Sequence, residues 1–108
     1  MNINDYQKEA MKFINPKLKG QDVLINSVMG LCGEAGETID LVKKHLHQGH
    51  ELNIDKFKEE LGDIAWYLAE ACSAINVSLE EVLEGNIKKL SSRYPDGFSV
   101  DKSIHRKL

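Results

Sequence analysis

Two long stretches of apolar residues at three- and four-residue spacing, joined by a short polar run around Gly49, restrict this chain to folds built on a helical hairpin. In the first stretch, residues 21–47, the stripe is Leu24, Val28, Leu31, Ala35, Val42 and Leu46, and Gly49 follows as a C-terminal cap. The second begins at Asn53 or Asp55 as cap and runs to about residue 75, with Phe57, Leu61, Ile64, Leu68, Cys72 and Ile75 as its stripe. Shorter helices are predicted on either side. Tyr6, Ala10, Phe13 and Ile14 mark one over about residues 4–14. It stops at Asn15-Pro16 because the residue before a proline disfavours the helical region. Ser78, with Glu81 three residues on, forms a capping box and opens a helix to about residue 93. Pro95-Asp96-Gly97 then breaks the chain. The expected fold is all-α, an antiparallel helical bundle of about four helices, with one domain over residues 1–98 and an irregular tail over 99–108.

The hairpin's apolar stripe is wide for the short helices that flank it. A second copy of the chain covers it better, so the bundle is expected to be completed by oligomerisation as a homodimer or homotetramer. The net charge of −3 argues against a nucleic-acid partner, which usually meets a dense basic face. The one basic cluster, Lys102, His105, Arg106 and Lys107, reads as a solvated tail. No apolar run approaches the length of a membrane span, and the N-terminus lacks the apolar core of a signal peptide. Cys32 and Cys72 have no C-x-x-C partner and are expected to pack as small buried hydrophobes in a reducing, cytoplasmic setting.

Within the first long helix stands "GLCGEAGE", residues 30–37. Each glycine costs a helix interior about 0.5–1 kcal/mol relative to alanine, so the run asks for a reason. Its acids, Glu34 and Glu37, are three apart and share one helix face. Glu60 and Asp63 repeat that spacing on the second long helix. With the turn near Gly49, the two pairs lie nearly equidistant from it and are expected to face one another. Four carboxylates converging at the edge of a core repel, so their pKa values rise or a cation neutralises them. Oxygen ligands without sulfur or histidine suit a hard cation, Mg²⁺ or Mn²⁺. Salt bridges to Lys44 and Lys56 are the competing use of such acids. His45, His47 and His50 fit no zinc spacing and read as a polar turn.

The run "GEAGETIDLVKK" followed by "KEELGDIAWYLAEA" resembles the MazG-like all-α nucleoside triphosphate pyrophosphohydrolases. Their E-x-x-E and E-x-x-D motifs are matched here by Glu34, Glu37, Glu60 and Asp63, and the downstream "NIKKLSSRYPDGF" is also similar; together the resemblance covers residues 25–98. It implies Mg²⁺-dependent hydrolysis of a nucleoside triphosphate (NTP or dNTP) between its α and β phosphates, giving a monophosphate and pyrophosphate. The four acids are then the metal ligands, and Glu37 is the candidate general base. Asn86 and Lys89 are implied nucleotide contacts. Lys44 and Arg93 are further cations placed for phosphate, and Tyr67, four residues after Asp63, is placed for sugar, base or phosphate. Asn86 falls within the apolar stripe of its helix and is expected to be a buried amide. The stretch directly upstream of the first acidic pair, "KGQDVLINSVMG", has no aromatic residue, which leaves the base preference open. The rival readings are a non-enzymatic helical dimerisation module, or a phosphoribosyl-ATP or dUTP/dCTP-type pyrophosphohydrolase.

Overall fold

The computed structural model describes residues 1–106. Its helices are α1 (Ile3–Ala10), α2 (Gln21–His47), α3 (Ile54–Ala74), α4 (Leu79–Arg93) and a short α5 (Val100–Ile104), and a 3-10 turn, Met11–Phe13, closes α1. No strand occurs among the described residues, and the all-α expectation holds. No helix of the described residues is long and apolar enough to cross a membrane.

Local signals set the boundaries. Asn2 caps α1 by accepting from the Asp5 N–H, and Ile14 turns extended before Asn15-Pro16. At the end of α2, Gly49 takes φ +73°, and the N–H groups of Gln48 and His50 both return to the Lys44 carbonyl at 3.1 Å. A left-handed glycine there closes the helix without a Cβ penalty. The Asn53 side chain accepts from the Lys56 N–H at 3.1 Å and starts α3, a cap worth about 1 kcal/mol. Asn76, at φ +60°, ends the turn beyond α3, and Ser78 Oγ accepts from the Glu81 N–H at 3.0 Å to start α4. The tail is less irregular than expected. Ser99 Oγ caps Lys102 N at 3.1 Å and holds Val100–Ile104 as a helix. Of the basic cluster, Lys107 lies outside the described residues.

α2 and α3 run against each other along the hairpin, while α1 and α4 pack on α3. The buried apolar residues are Ala10, Ala69, Cys72 and Leu79, with Tyr6, Met11, Trp66 and Val77 against them. Trp66 Nε1 donates to the Ala10 carbonyl at 2.9 Å. Gln7 clasps the corner between α3 and α4: Nε2 donates to Ser73 Oγ at 3.0 Å and the Val77 carbonyl at 3.2 Å, and Oε1 accepts from Leu79 N at 2.8 Å.

The core therefore sits at one end, and the predicted stripes are not closed within the chain. Val28, Leu46, Leu61, Leu68 and Ile75 all remain exposed. Periodicity shows which face of a helix is apolar, not what covers it. Cys32, expected to be buried, is exposed for the same reason, while Cys72 is buried as expected. The radius of gyration is 16.9 Å, against about 13 Å for a compact domain of this length.

Candidate metal centre

The antiparallel hairpin brings Glu34 and Glu37 of α2 to Glu60 of α3, and one carboxylate oxygen of each lies within 4.8 Å of the others. The three are graded in depth: Glu60 is 3 % exposed, Glu34 half-buried and Glu37 exposed. Asp63, one methylene shorter, stands outside this set, although its charge is felt at Glu34 and Tyr67. Sequence spacing placed four acids together, and the side chains bring three to a point.

Three carboxylates this close cannot all ionise cheaply. A hydrogen bond to Glu60, burial, and the charges of Glu37, Glu60 and Asp63 together push Glu34 up to about 7. Glu60 moves the other way, held below its ordinary value first by that hydrogen bond and then by Lys56, whose Nζ lies 3.2 Å from it. Glu34 is thus the member of the pair that takes up a proton more readily, and Glu60 the one that accepts the hydrogen bond. Even so, Oε2 of Glu34 and Oε2 of Glu60 are buried with no hydrogen-bond partner. Buried oxygens without donors are expensive. A hard cation removes that cost, and the all-oxygen donor set fits Mg²⁺ or Mn²⁺.

The shift has a measurable sign. Glu34 has an ordinary carboxylate pKa when unfolded and is pushed up to about 7 when folded. Between those pH values the folded chain binds more protons, so its stability falls as pH rises. In EDTA, thermal melts at pH 5.5 and pH 7.5 are expected to show the lower Tm at pH 7.5. Glu34→Gln is expected to flatten that part of the slope; an unchanged slope in the variant refutes the assignment.

Tyr67 lies in the same seam. Its ring rests on the bare backbone of Gly30, where a Cβ would overlap it, and meets Trp66 edge-on at 5.1 Å. Burial, followed by the charges of Glu34, Glu70, Asp63 and Glu37, raises its pKa, so the hydroxyl remains a donor. Gly30 thus serves a close approach, whereas a Cβ at Gly33 or Gly36 meets nothing within 4 Å.

The remaining sequence candidates lie elsewhere. Lys44 is tied to Asp40 at 3.0 Å. Asn86 is exposed rather than buried, because α4 leaves its own stripe open: Val82, Leu83 and Leu90 are all exposed. Lys89 is also exposed. Arg93 sits at the far end of α4, its guanidinium 5.9 Å from the Tyr94 ring and its Nε buried without a partner. Among the described residues, none of these three has a hydrogen bond or ion pair to the acids. The turn histidines stay together, with His45 Nδ1 donating to the His50 carbonyl at 2.8 Å.

Sequence reasoning missed one pair. Glu70 is fully buried, and both its carboxylate oxygens accept from Asn26 Nδ2, at 3.0 and 3.1 Å. The available signal was spacing: Glu70 falls seven residues after Asp63, two turns along the same helix side.

An all-helical hairpin offering clustered carboxylates from both arms defines a class of proteins suited to divalent cations and the phosphates they bind. A profile of the MazG nucleotide pyrophosphohydrolase domain matches residues 25–98, and the chain belongs to that family. It is also similar to the Gene 37 protein of Mycobacterium phage L5, 41 % identical over 73 residues, which cover 64 % of each chain. The chain thus spans somewhat less than two thirds of that relative's length. No solved structure matches it.

Proposed function

We propose that this protein hydrolyses nucleoside triphosphates between the α and β phosphates, releasing a nucleoside monophosphate and pyrophosphate, with Mg²⁺ as its cofactor. The observation that carries this reading is the cluster of Glu34, Glu37 and Glu60, with two buried carboxylate oxygens lacking any partner. These three, with Asp63 beside them, would hold the cation. When bound, it supplies charge neutralisation at the phosphates and acidifies water.

The chain's own groups do the rest. Phosphoanhydride hydrolysis needs positioning and charge stabilisation more than covalent help. Glu37, the solvent-facing member of the cluster, takes the proton of the attacking water on a carboxylate oxygen. Tyr67 donates from its hydroxyl to the substrate. Lys44 exchanges Asp40 for phosphate, since a solvent-exposed pair of this kind is weak.

We further propose a homodimer or homotetramer in which a second copy brings α4 to the acids. Within one chain, residues 81–92 of α4 are exposed throughout. Ile39, Val42 and Leu46 line an apolar hollow on α2. A second copy that covers such faces also delivers Asn86, Lys89 and Arg93 as the missing phosphate and nucleotide contacts. A nucleotide substrate and two free thiols fit a cytoplasmic enzyme.

The test is a panel of NTPs and dNTPs with Mg²⁺, scored for monophosphate and pyrophosphate. Both products are expected, and both are expected to vanish with EDTA. Orthophosphate and a diphosphate in their place overturn the α–β assignment. No turnover of any nucleotide overturns the enzymatic reading.

A further inference from the structure

The seam between α2 and α3 is polar beyond the acids. Along α2, Glu34, Gly30 and Asn26 follow at four-residue steps, a single ridge of the helix. Opposite them on α3 stand Glu60, Tyr67 and Glu70, with contacts of Glu34 to Glu60, Gly30 to Tyr67 and Asn26 to Glu70. Asn26 therefore lies eight residues from Glu34, about 12 Å along the helix axis, with the Tyr67 ring between them and no side chain at position 30.

Glu70 makes the Asn26 amide directional. A carboxylate accepts hydrogen bonds and does not donate them, so it is the amide nitrogen that faces Glu70. Both Glu70 oxygens take that nitrogen, at 3.0 and 3.1 Å, inside the protein. Asn26 itself is exposed. Its Oδ1 is consequently left as the outward-facing group, an acceptor that cannot exchange places with the nitrogen while Glu70 is present. Met29, three residues on and 69 % exposed, shares this side of α2 and offers a polarisable, adaptable surface to a flat ring.

We infer that Asn26, oriented by Glu70, reads the nucleobase, accepting a hydrogen bond from an exocyclic amino group at its far edge. This rests on the proposed nucleotide pyrophosphohydrolase activity. The phosphates lie at the acids, the nucleoside crosses the Tyr67 ring, and the amino group, the donor of the base farthest from the phosphates, meets Asn26 Oδ1. Asn26 is a specificity residue that touches substrate, and Glu70 is a positioning residue acting through it. In Glu70→Gln the new amide both donates and accepts, Asn26 is free to flip, and the selection weakens.

The experiment compares CTP with the triphosphate of its 4-desamino analogue (pyrimidin-2-one ribonucleoside), and ATP with purine ribonucleoside triphosphate, in Mg²⁺. Wild type is expected to favour the amino-bearing member of each pair by about tenfold in kcat/KM, as one hydrogen bond allows, with the difference in KM. Asn26→Ala is expected to bring both ratios to about one by weakening the amino-bearing substrate alone. Glu70→Gln is expected to shrink the ratios, with the change in the KM of the amino-bearing member. A purely structural role lowers both members of a pair equally, and that result overturns the inference. So does a wild-type ratio near one, which needs no variant to fold. If wild type turns over nucleotides without the preference, only the base-reading role falls; if it turns over none, the enzymatic reading falls with it.

Discussion

Glu34→Gln is expected to lower turnover by at least about a hundredfold while raising the Tm of the metal-free protein at pH 8. The two effects have one cause. Glu34 lies within 4.8 Å of Glu37 and Glu60, and without a cation its ionised form is held there against repulsion. An amide at that position needs no proton, and its N–H donates to Glu60 as the protonated acid did. The repulsion is gone, so the fold gains; a gain of about 1 kcal/mol moves Tm by roughly 4–8 °C in a domain of this size. An amide is also a poor ligand for a hard cation, and transition-state charge stabilisation worth several kcal/mol is lost with it. Steady-state pyrophosphate release and melts in EDTA check both halves. A variant that loses stability along with activity argues that Glu34 is structural, and one that keeps activity removes it from the site.

The second large effect concerns assembly. Glu34→Gln chains and Lys89→Ala/Arg93→Ala chains are each expected to be inactive alone. Mixed in equal amounts and allowed to exchange, they are expected to recover about a quarter of wild-type activity, the statistical yield of a dimer whose sites each draw on two copies. The reason is geometric. The acids are gathered by α2 and α3, whereas residues 81–92 of α4 are exposed and α4 packs on α1 and α3. No recovery on mixing, with light scattering confirming exchanged dimers, places both sets of residues in one chain or removes the α4 cations from the reaction.

Much of the fold was legible because its signals are local. Asn53, Ser78 and Gly49 mark helix ends through hydrogen bonds that need only a few residues of context, and each acts where the sequence puts it. The meeting of Glu34 with Glu60 was legible for a related reason: a hairpin with a known turn fixes which residues lie level. What the sequence hid depends on directions in space. Glu60 and Asp63 repeat the spacing of Glu34 and Glu37, yet Asp63 stands outside the three-carboxylate set. Asn86 lies on the apolar stripe of α4, but a stripe is buried only where something packs on it, and among the described residues Val82, Leu83 and Leu90 of that stripe stay exposed. Glu70 drew no notice in the sequence, because its partner Asn26 lies 44 residues away and on another helix.

Gln7 carries a last consequence. It lies well before residue 25, where the family match begins, yet its amide joins Ser73, Val77 and Leu79 across the α3–α4 corner. The corner at which α4 leaves the hairpin is therefore braced in part by a residue outside the matched region. Most of the hairpin and of the buried core lie inside the matched region, but one of the braces of the fourth helix comes from outside it. A family member with another N-terminal segment has the same acids at its disposal but must brace its fourth helix by other means.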